Sequence, residues 1–245
     1  MDIKRQYFEL AKHGIENAYE SNKDDMKKVA NAIYTCMHNG GVVQLFGVNH
    51  GDEVVNELNF RAGGLAPYHG LKPMEIAFTG KIKRDLIDSG EIYETTEYVD
   101  DLLALYKLDD RDAYFITSFY GNEPMAVEIA KRAKENGQIV IGLVNKASYE
   151  KAPVKHASGK KLLDYCDYSL DMCANDPDIA LTVNNNPVGQ LSSVYANVIA
   201  QMITADVYNA FVENNEEAPV LLSANIAGAD KHNNALTDLY NGRVR

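Results

Sequence analysis

The sequence predicts an α/β fold: a three-layer α/β/α sandwich around a doubly wound, mainly five-stranded parallel sheet, with helices placed before it. Three short apolar runs lead there, Val42–Phe46, Ala113–Thr117 and Gln138–Val144. Each reads as a strand covered on both faces, as parallel strands are. Each is followed by a polar turn and then by residues at helical spacing, the alternation that βαβ units require. The 245 residues fit one domain, with a helical extension over 1–39 and the sandwich over 40–245.

Residues 2–39 carry two apolar stripes: Ile3, Tyr7, Leu10, Ala11 and Ile15, then Met26, Val29, Ala30, Ile33 and Met37. They predict two helices broken near Ser21 and Asn22 and used for core or subunit packing. Gly40 and Gly41 introduce the first strand. The turn Gly47–Gly51 feeds a helix that Asp52 caps or starts. Val54, Val55, Leu58 and Ala62 form its apolar face, and Gly63 and Gly64 suit its exit. Residues 65–111 are less regular. They predict a short strand at Leu65–Tyr68, short helices at Ile82–Ile87 and Tyr98–Tyr106, and an acidic solvated surface at Glu91–Asp101. The second strand, Ala113–Thr117, ends in Ser118-Phe119-Tyr120-Gly121-Asn122-Glu123 before a helix. Gln138–Val144 and Tyr168–Asp171 are the third and fourth strands. A long helix covers Leu191–Val212, and the tail, Pro219–Arg245, ends in a short helix. The long helix is apolar on more than one side, which predicts a homodimer or homotetramer.

Hydrophobic residues at 46% and charged residues at 24% suit a chain able to bury a core. A net charge of −11 argues against a sequence-independent grip on nucleic acid and leaves room for a local basic pocket. Cys36, Cys166 and Cys173 form no C-x-x-C pair and read as free thiols in a reducing compartment. No apolar signal core or membrane-length run is present, so a soluble, cytoplasmic protein is expected. No metal and no cofactor are expected. Gly47–Gly51 is G-x-x-x-G, unlike the dinucleotide pattern G-x-G-x-x-G, and the P-loop pattern is absent.

Three turns carry donors that suit an anion. Gly47–Gly51 brings Asn49 and His50; Ser118–Glu123 brings Ser118, Gly121 and Asn122; Gly189–Ser193 brings Ser192 and Ser193 to a helix start. The bland readings are a plain strand–helix turn and simple capping. Glu123 would repel an anion unless it points away. Lys155–Leu162 is basic within an acidic chain and reads either as a solvated loop or as a contact to a ligand or partner.

Gly47, Asn49 and His50, followed by Glu57, Leu58, Arg61, Ala62, Gly63, Gly64 and Leu65, resemble the sugar isomerase (SIS) domain family. The likeness is to stand-alone bacterial members similar to phosphoheptose isomerase-like proteins, with G-x-G-H-S and then E-L-x-x-R-A-G-G-L. Lys155-His156-Ala157-Ser158-Gly159-Lys160-Lys161-Leu162 is similar to a second family segment, and Ser223–Asn233 to the family's S-A-N-x-x-G-G-D-x-H-N. Asn49 stands for the second glycine, Gly51 for a phosphate-binding serine, and Tyr120 for a serine of the second loop. The resemblance implies a phosphosugar ligand held by Asn49, His50, Gly51, Ser118, Gly121, Asn122, Ser192, Ser193, His156 and Lys160. It also implies Glu57 as the base and His232 as the acid of an aldose–ketose isomerisation through an enediol. Glu57 has a rival reading as the surface ion-pair partner of Arg61 at i+4. Two function classes follow: a sugar-phosphate isomerase, or a non-catalytic phosphosugar sensor that keeps the pocket.

Overall fold

A computed structural model describes residues 2–244. Strands β1 (Val43–Gly47), β2 (Tyr68–Gly70), β3 (Ala113–Thr117), β4 (Ile139–Val144) and β5 (Tyr168–Asp171) form one sheet in the order β2-β1-β3-β4-β5. All four pairings are parallel. β3 and β5 have the bounds expected from sequence, and β1 and β4 begin one residue later. β2 lies later than the expected Leu65–Tyr68, because Leu65 instead bridges antiparallel to Val220 in the tail.

Helices α1 (Ile3–His38), α2 (Asp52–Leu58) and α8 (Ser192–Glu213) cover one face. They pack with Val43, Leu45, Phe115, Ile141 and Leu143 into one apolar core. Helix α6 (Pro124–Glu135) and the short helices α3 (Met74–Phe78), α4 (Asp85–Asp88) and α5 (Val99–Leu103) lie with the opposite face. Phe46, Tyr114, Ile116, Val140 and Val144 point there. Strand alternation puts successive side chains on opposite faces, so apolar runs fill two cores. α7 (Lys146–Lys151) follows β4, and α9 (Ala229–Asp238) lies in the tail.

The expected break near Ser21 and Asn22 is absent; α1 is one helix of 36 residues. Buried Asn22 explains this. Its Nδ2 donates to the Ala18 and Asp171 carbonyls at 2.7 and 2.9 Å, and its Oδ1 accepts from the Asp171 amide at 2.8 Å. The side chain thus pairs with the free edge of β5, which a strand edge needs. α2 ends at Leu58 rather than running through Ala62. Asn59 turns out of the helix and Oδ1 accepts from the Gly70 amide at 3.1 Å, and Phe60 takes φ 47°. The expected helices at Ile82–Ile87 and Tyr98–Tyr106 are the shorter α4 and α5. An unexpected hairpin, β6 (Leu181–Val183) with β7 (Asn186–Val188), stands apart from the main sheet. Asn184 and Asn185 turn it with φ of 50° and 64°, the positive pair that two-residue hairpins favour.

Candidate functional site

The carboxyl ends of β1 and β3 meet the heads of α2 and α8, the place where doubly wound sheets bind ligands. A cavity of about 320 Å³ opens there. Asn49, His50 and Gly51 line it from the first turn, and Ser192 and Ser193 from α8. Phe119, Tyr120 and Glu123 close one side; Pro177, Asp178 and Ile179 close another. The last three belong to an arm, residues 175–190, that carries the β6–β7 hairpin.

The first turn explains two departures from the family pattern. Asn49 has φ 51°, a left-handed conformation that asparagine tolerates better than most residues. Gly51 packs against β3: a Cβ there would lie 2.4 Å from the Thr117 carbonyl oxygen. A serine at this position therefore requires the backbone to move. We expect Gly51→Ser to lower stability by about 1–3 kcal/mol, as overpacking does, with no gain in affinity for a phosphosugar. Urea unfolding and titration read the two effects; unchanged stability with tighter binding would overturn the packing account.

The second turn is built differently from the expectation. Ser118 is fully buried; its hydroxyl donates to the Glu123 carboxylate at 2.6 Å and accepts from the Gly121 amide at 2.7 Å. Asn122 is buried and donates to the Pro153 carbonyl at 2.8 Å. Gly121 is buried with φ 60° and backs onto Tyr149 and Val144. Ser118, Gly121 and Asn122 thus shape the turn but do not line the cavity, contrary to the expected convergence. The physical reason is Glu123, whose side chain turns back to take the serine hydroxyl. Burial raises the Glu123 carboxyl above its ordinary value, and the Ser118 hydrogen bond opposes that rise.

At the head of α8 the structure places a residue that sequence reasoning missed. Asp178 Oδ1 accepts from the Leu191 amide at 3.1 Å and from the Ser192 amide at 3.3 Å; Oδ2 also lies 3.3 Å from the Ser192 amide. A carboxylate here satisfies free donors of the helix start. The Asp-Pro-Asp stretch before a polar hairpin was the one available signal.

Glu57 and His232 open onto different cavities of the chain. Glu57 borders a smaller one, about 150 Å³, with Arg61, Tyr68, Gln201 and Thr204. Its Oε1 accepts from Gln201 Nε2 at 2.8 Å, and it is ion-paired with Arg61. A polar track, Ser193, Asn197 and Gln201, runs along one side of α8 at i, i+4 spacing from the main cavity to Glu57. Asn197 Oδ1 on that track is buried with no hydrogen-bond partner. His232 borders a third cavity, and its Nε2 lies 3.0 Å from the Val220 carbonyl oxygen. His156 is buried between Ser158 Oγ at 2.7 Å and Glu128 Oε2 at 3.0 Å. Lys160 sits 5.0 Å over the Tyr165 ring. Neither His156 nor Lys160 lines the main cavity. Among the described residues, no group of three or more His, Cys, Asp or Glu is placed to hold a metal ion. No described helix is long and apolar enough to cross a membrane.

The SIS domain family model matches residues 6–145, more than half of the chain. The chain belongs to the SIS domain family. A UPF0309 protein of Caldanaerobacter subterraneus is 31% identical over 245 aligned positions, 98% of this chain and 98% of that protein. Among solved structures, a phosphoheptose isomerase from Francisella tularensis superposes with TM-score 0.55 at 16% identity, over 84% of this SIS chain and 96% of that one. The Vibrio vulnificus NanR protein complexed with ManNAc-6P superposes with TM-score 0.54 at 13% identity, over 87% of this chain and 65% of that one. Those two likenesses are of fold.

Proposed function

We propose that this SIS protein binds a phosphorylated sugar in the cavity between β1, β3 and the head of α8 and interconverts its aldose and ketose forms. The observation that carries the reading is the joining of Asn49, His50, Ser192 and Ser193 in one cavity at the carboxyl edge of a SIS-fold sheet. Backbone and hydroxyl donors at a helix start suit a phosphate. The polar track of α8 leads from there toward Glu57, which takes the proton from one sugar carbon and returns it to the next. Six residues separate Gly51 from Glu57, ~9 Å along α2 at ~1.5 Å per residue. An open-chain sugar phosphate spans that length. His232 supplies the acid from a second copy, since in its own chain it borders a different cavity. The proposed unit is a homodimer or homotetramer, supported by exposed Ile3 and Phe8 on α1, at 51% and 53%. Light scattering at micromolar concentration reads it, and a monomer removes this part.

The deciding experiment combines a thermal-shift screen of phosphosugars with isotope exchange at sugar C2. A ligand that binds only the native state raises its apparent stability. Binding with exchange is the expected result. Binding without exchange leaves the sensor reading. No stabilisation by any phosphosugar overturns both.

A further inference from the structure

The arm that closes the cavity carries a charge of the wrong sign for the ligand. Asp178 sits on the Leu191 and Ser192 amides at 3.1–3.3 Å. These are the donors through which α8 would hold a phosphate, and Glu123 adds a second carboxyl to the same cavity wall. A phosphate entering with Asp178 in place finds these donors occupied and meets a like charge.

We propose that Asp178 is a built-in occupant of the anion position at the head of α8, which the phosphate of the ligand displaces. The inference rests on the phosphosugar reading for its ligand but not for its test. The arm is built to leave. Its ends are fixed: the Ala174 amide donates to Asn145 Oδ1 at 2.9 Å, and Leu191 is buried in the core. Between them, residues 175–190 hold to the body through a small set of contacts. Besides the Asp178 bonds, Lys151 reaches Asp176 at 2.7 Å, Ser148 also hydrogen-bonds Asp176, the Tyr7 hydroxyl donates to the Gln190 carbonyl at 2.9 Å, and Ala180 packs at the edge of the core. Within the arm, the Ala180 amide donates to the Gly189 carbonyl at 2.7 Å and β6 pairs with β7, so the hairpin can move as one piece. Residues 186–190 are exposed. Exchange of a carboxylate for a phosphate leaves the helix amides paired throughout. The tethered carboxylate competes at a high effective concentration. It thereby lowers apparent affinity by the fraction of molecules in which the amides are vacant.

The test uses inorganic phosphate as the probe and the full chain. Asp178→Asn keeps the shape and an acceptor oxygen but loses the charge; Asp178→Ala removes both. Titration followed by the ¹⁵N–¹H resonances of Leu191 and Ser192 should give a dissociation constant ~10-fold or more below that of the wild type for Asp178→Ala, with Asp178→Asn between. Equal constants for all three proteins overturn the proposal, as does phosphate that shifts Asn49–Gly51 and leaves Leu191 and Ser192 unmoved. Circular dichroism on each variant excludes misfolding as the cause of lost binding. If the variants gain phosphate at α8 while no phosphosugar binds any protein, this inference stands and the phosphosugar reading falls.

Discussion

Glu57→Gln is expected to slow solvent-hydrogen exchange at sugar C2 by ~10²–10⁴-fold, the usual cost of losing a positioned base. Stabilisation by the phosphosugar should survive, because the anion donors lie at the other end of α2. The substitution keeps the shape and loses the negative charge, and with it the basicity and the Arg61 ion pair. Glu57 is held ready for the role: Gln201 Nε2 donates to Oε1 at 2.8 Å, which fixes one oxygen and leaves the other for the substrate. Its Arg61 partner is 45% exposed and Glu57 itself 35%. An exposed pair of this kind contributes ~0–1 kcal/mol, so Arg61 can yield to a sugar without great cost. The pair is also the rival explanation of Glu57. On that account Glu57→Gln loses a surface ion pair, exchange proceeds at the wild-type rate, and stability changes by less than ~1 kcal/mol. Equal exchange rates would therefore remove Glu57 from the chemistry and leave the cavity intact.

The parallel sheet was legible because its strands are buried on both faces and announce themselves as unbroken apolar runs. β3 and β5 have the residues expected of them. What the local pattern cannot carry is a partner far along the chain. Asn22 looked like a helix breaker because its side chain competes with the backbone in isolation. In the fold it spends that capacity on Asp171, 149 positions away, and α1 runs on. The β6–β7 hairpin escapes the pattern because its strands are three residues each, too short to show a period, and β7 is exposed throughout. At the site, Asn49, His50, Gly51, Ser192 and Ser193 were found from turn chemistry and from the family pattern, and they do share a cavity. Ser118 was not separable from them by residue type. Only the fold shows that Glu123 bends back to claim its hydroxyl. Asp178 left only the Asp-Pro-Asp turn signal, since its meaning depends on amides 13 and 14 residues downstream. Likewise His156 and Lys160 read as ligand groups because their basic segment matches a family segment. In the fold His156 meets Glu128 and Lys160 lies over the Tyr165 ring, and neither lines the main cavity.

Removing the Asp112 carboxylate should have the largest effect on stability, with Asp112→Ala costing about 3–5 kcal/mol, as breaking a buried ion pair does. The Asp112 side chain is fully buried and that of Arg243 is 9% exposed. One carboxylate ties three parts of the chain. Its Oδ1 accepts from the Val42 amide at 2.9 Å, ahead of β1. Its Oδ2 accepts from Gln44 Nε2 at 2.9 Å and from the Asp109 amide at 3.1 Å. Arg243 pairs with it from the tail and also donates to the Gly40 carbonyl at 3.1 Å. Alanine would leave the buried guanidinium with only the half-buried Asp109 carboxylate, at 3.9 Å, to compensate it, and Arg243 Nε is already unpartnered. Asp112→Asn, which keeps an acceptor, should cost less. The exposed Arg111–Asp109 pair serves as the control, because Arg111→Ala removes contacts that water can replace. The network also sets a pH dependence. Gln44 Oε1 faces His69 Nδ1 at 2.8 Å, and burial pushes the imidazole from 6.5 down to about 4. Folded His69 thus stays neutral where the unfolded chain takes up a proton. Stability is complete above pH 6.5 and falls as pH drops toward 4, by about 2 kcal/mol between pH 7 and pH 5. Urea unfolding at the two pH values, repeated on His69→Gln, isolates that slope. An Asp112→Ala protein within 1 kcal/mol of the wild type would show that the tail does not depend on this carboxylate. If the account holds, the same variant should release the segment after Leu221, and with it α9 and His232, to proteolysis before the sheet unfolds.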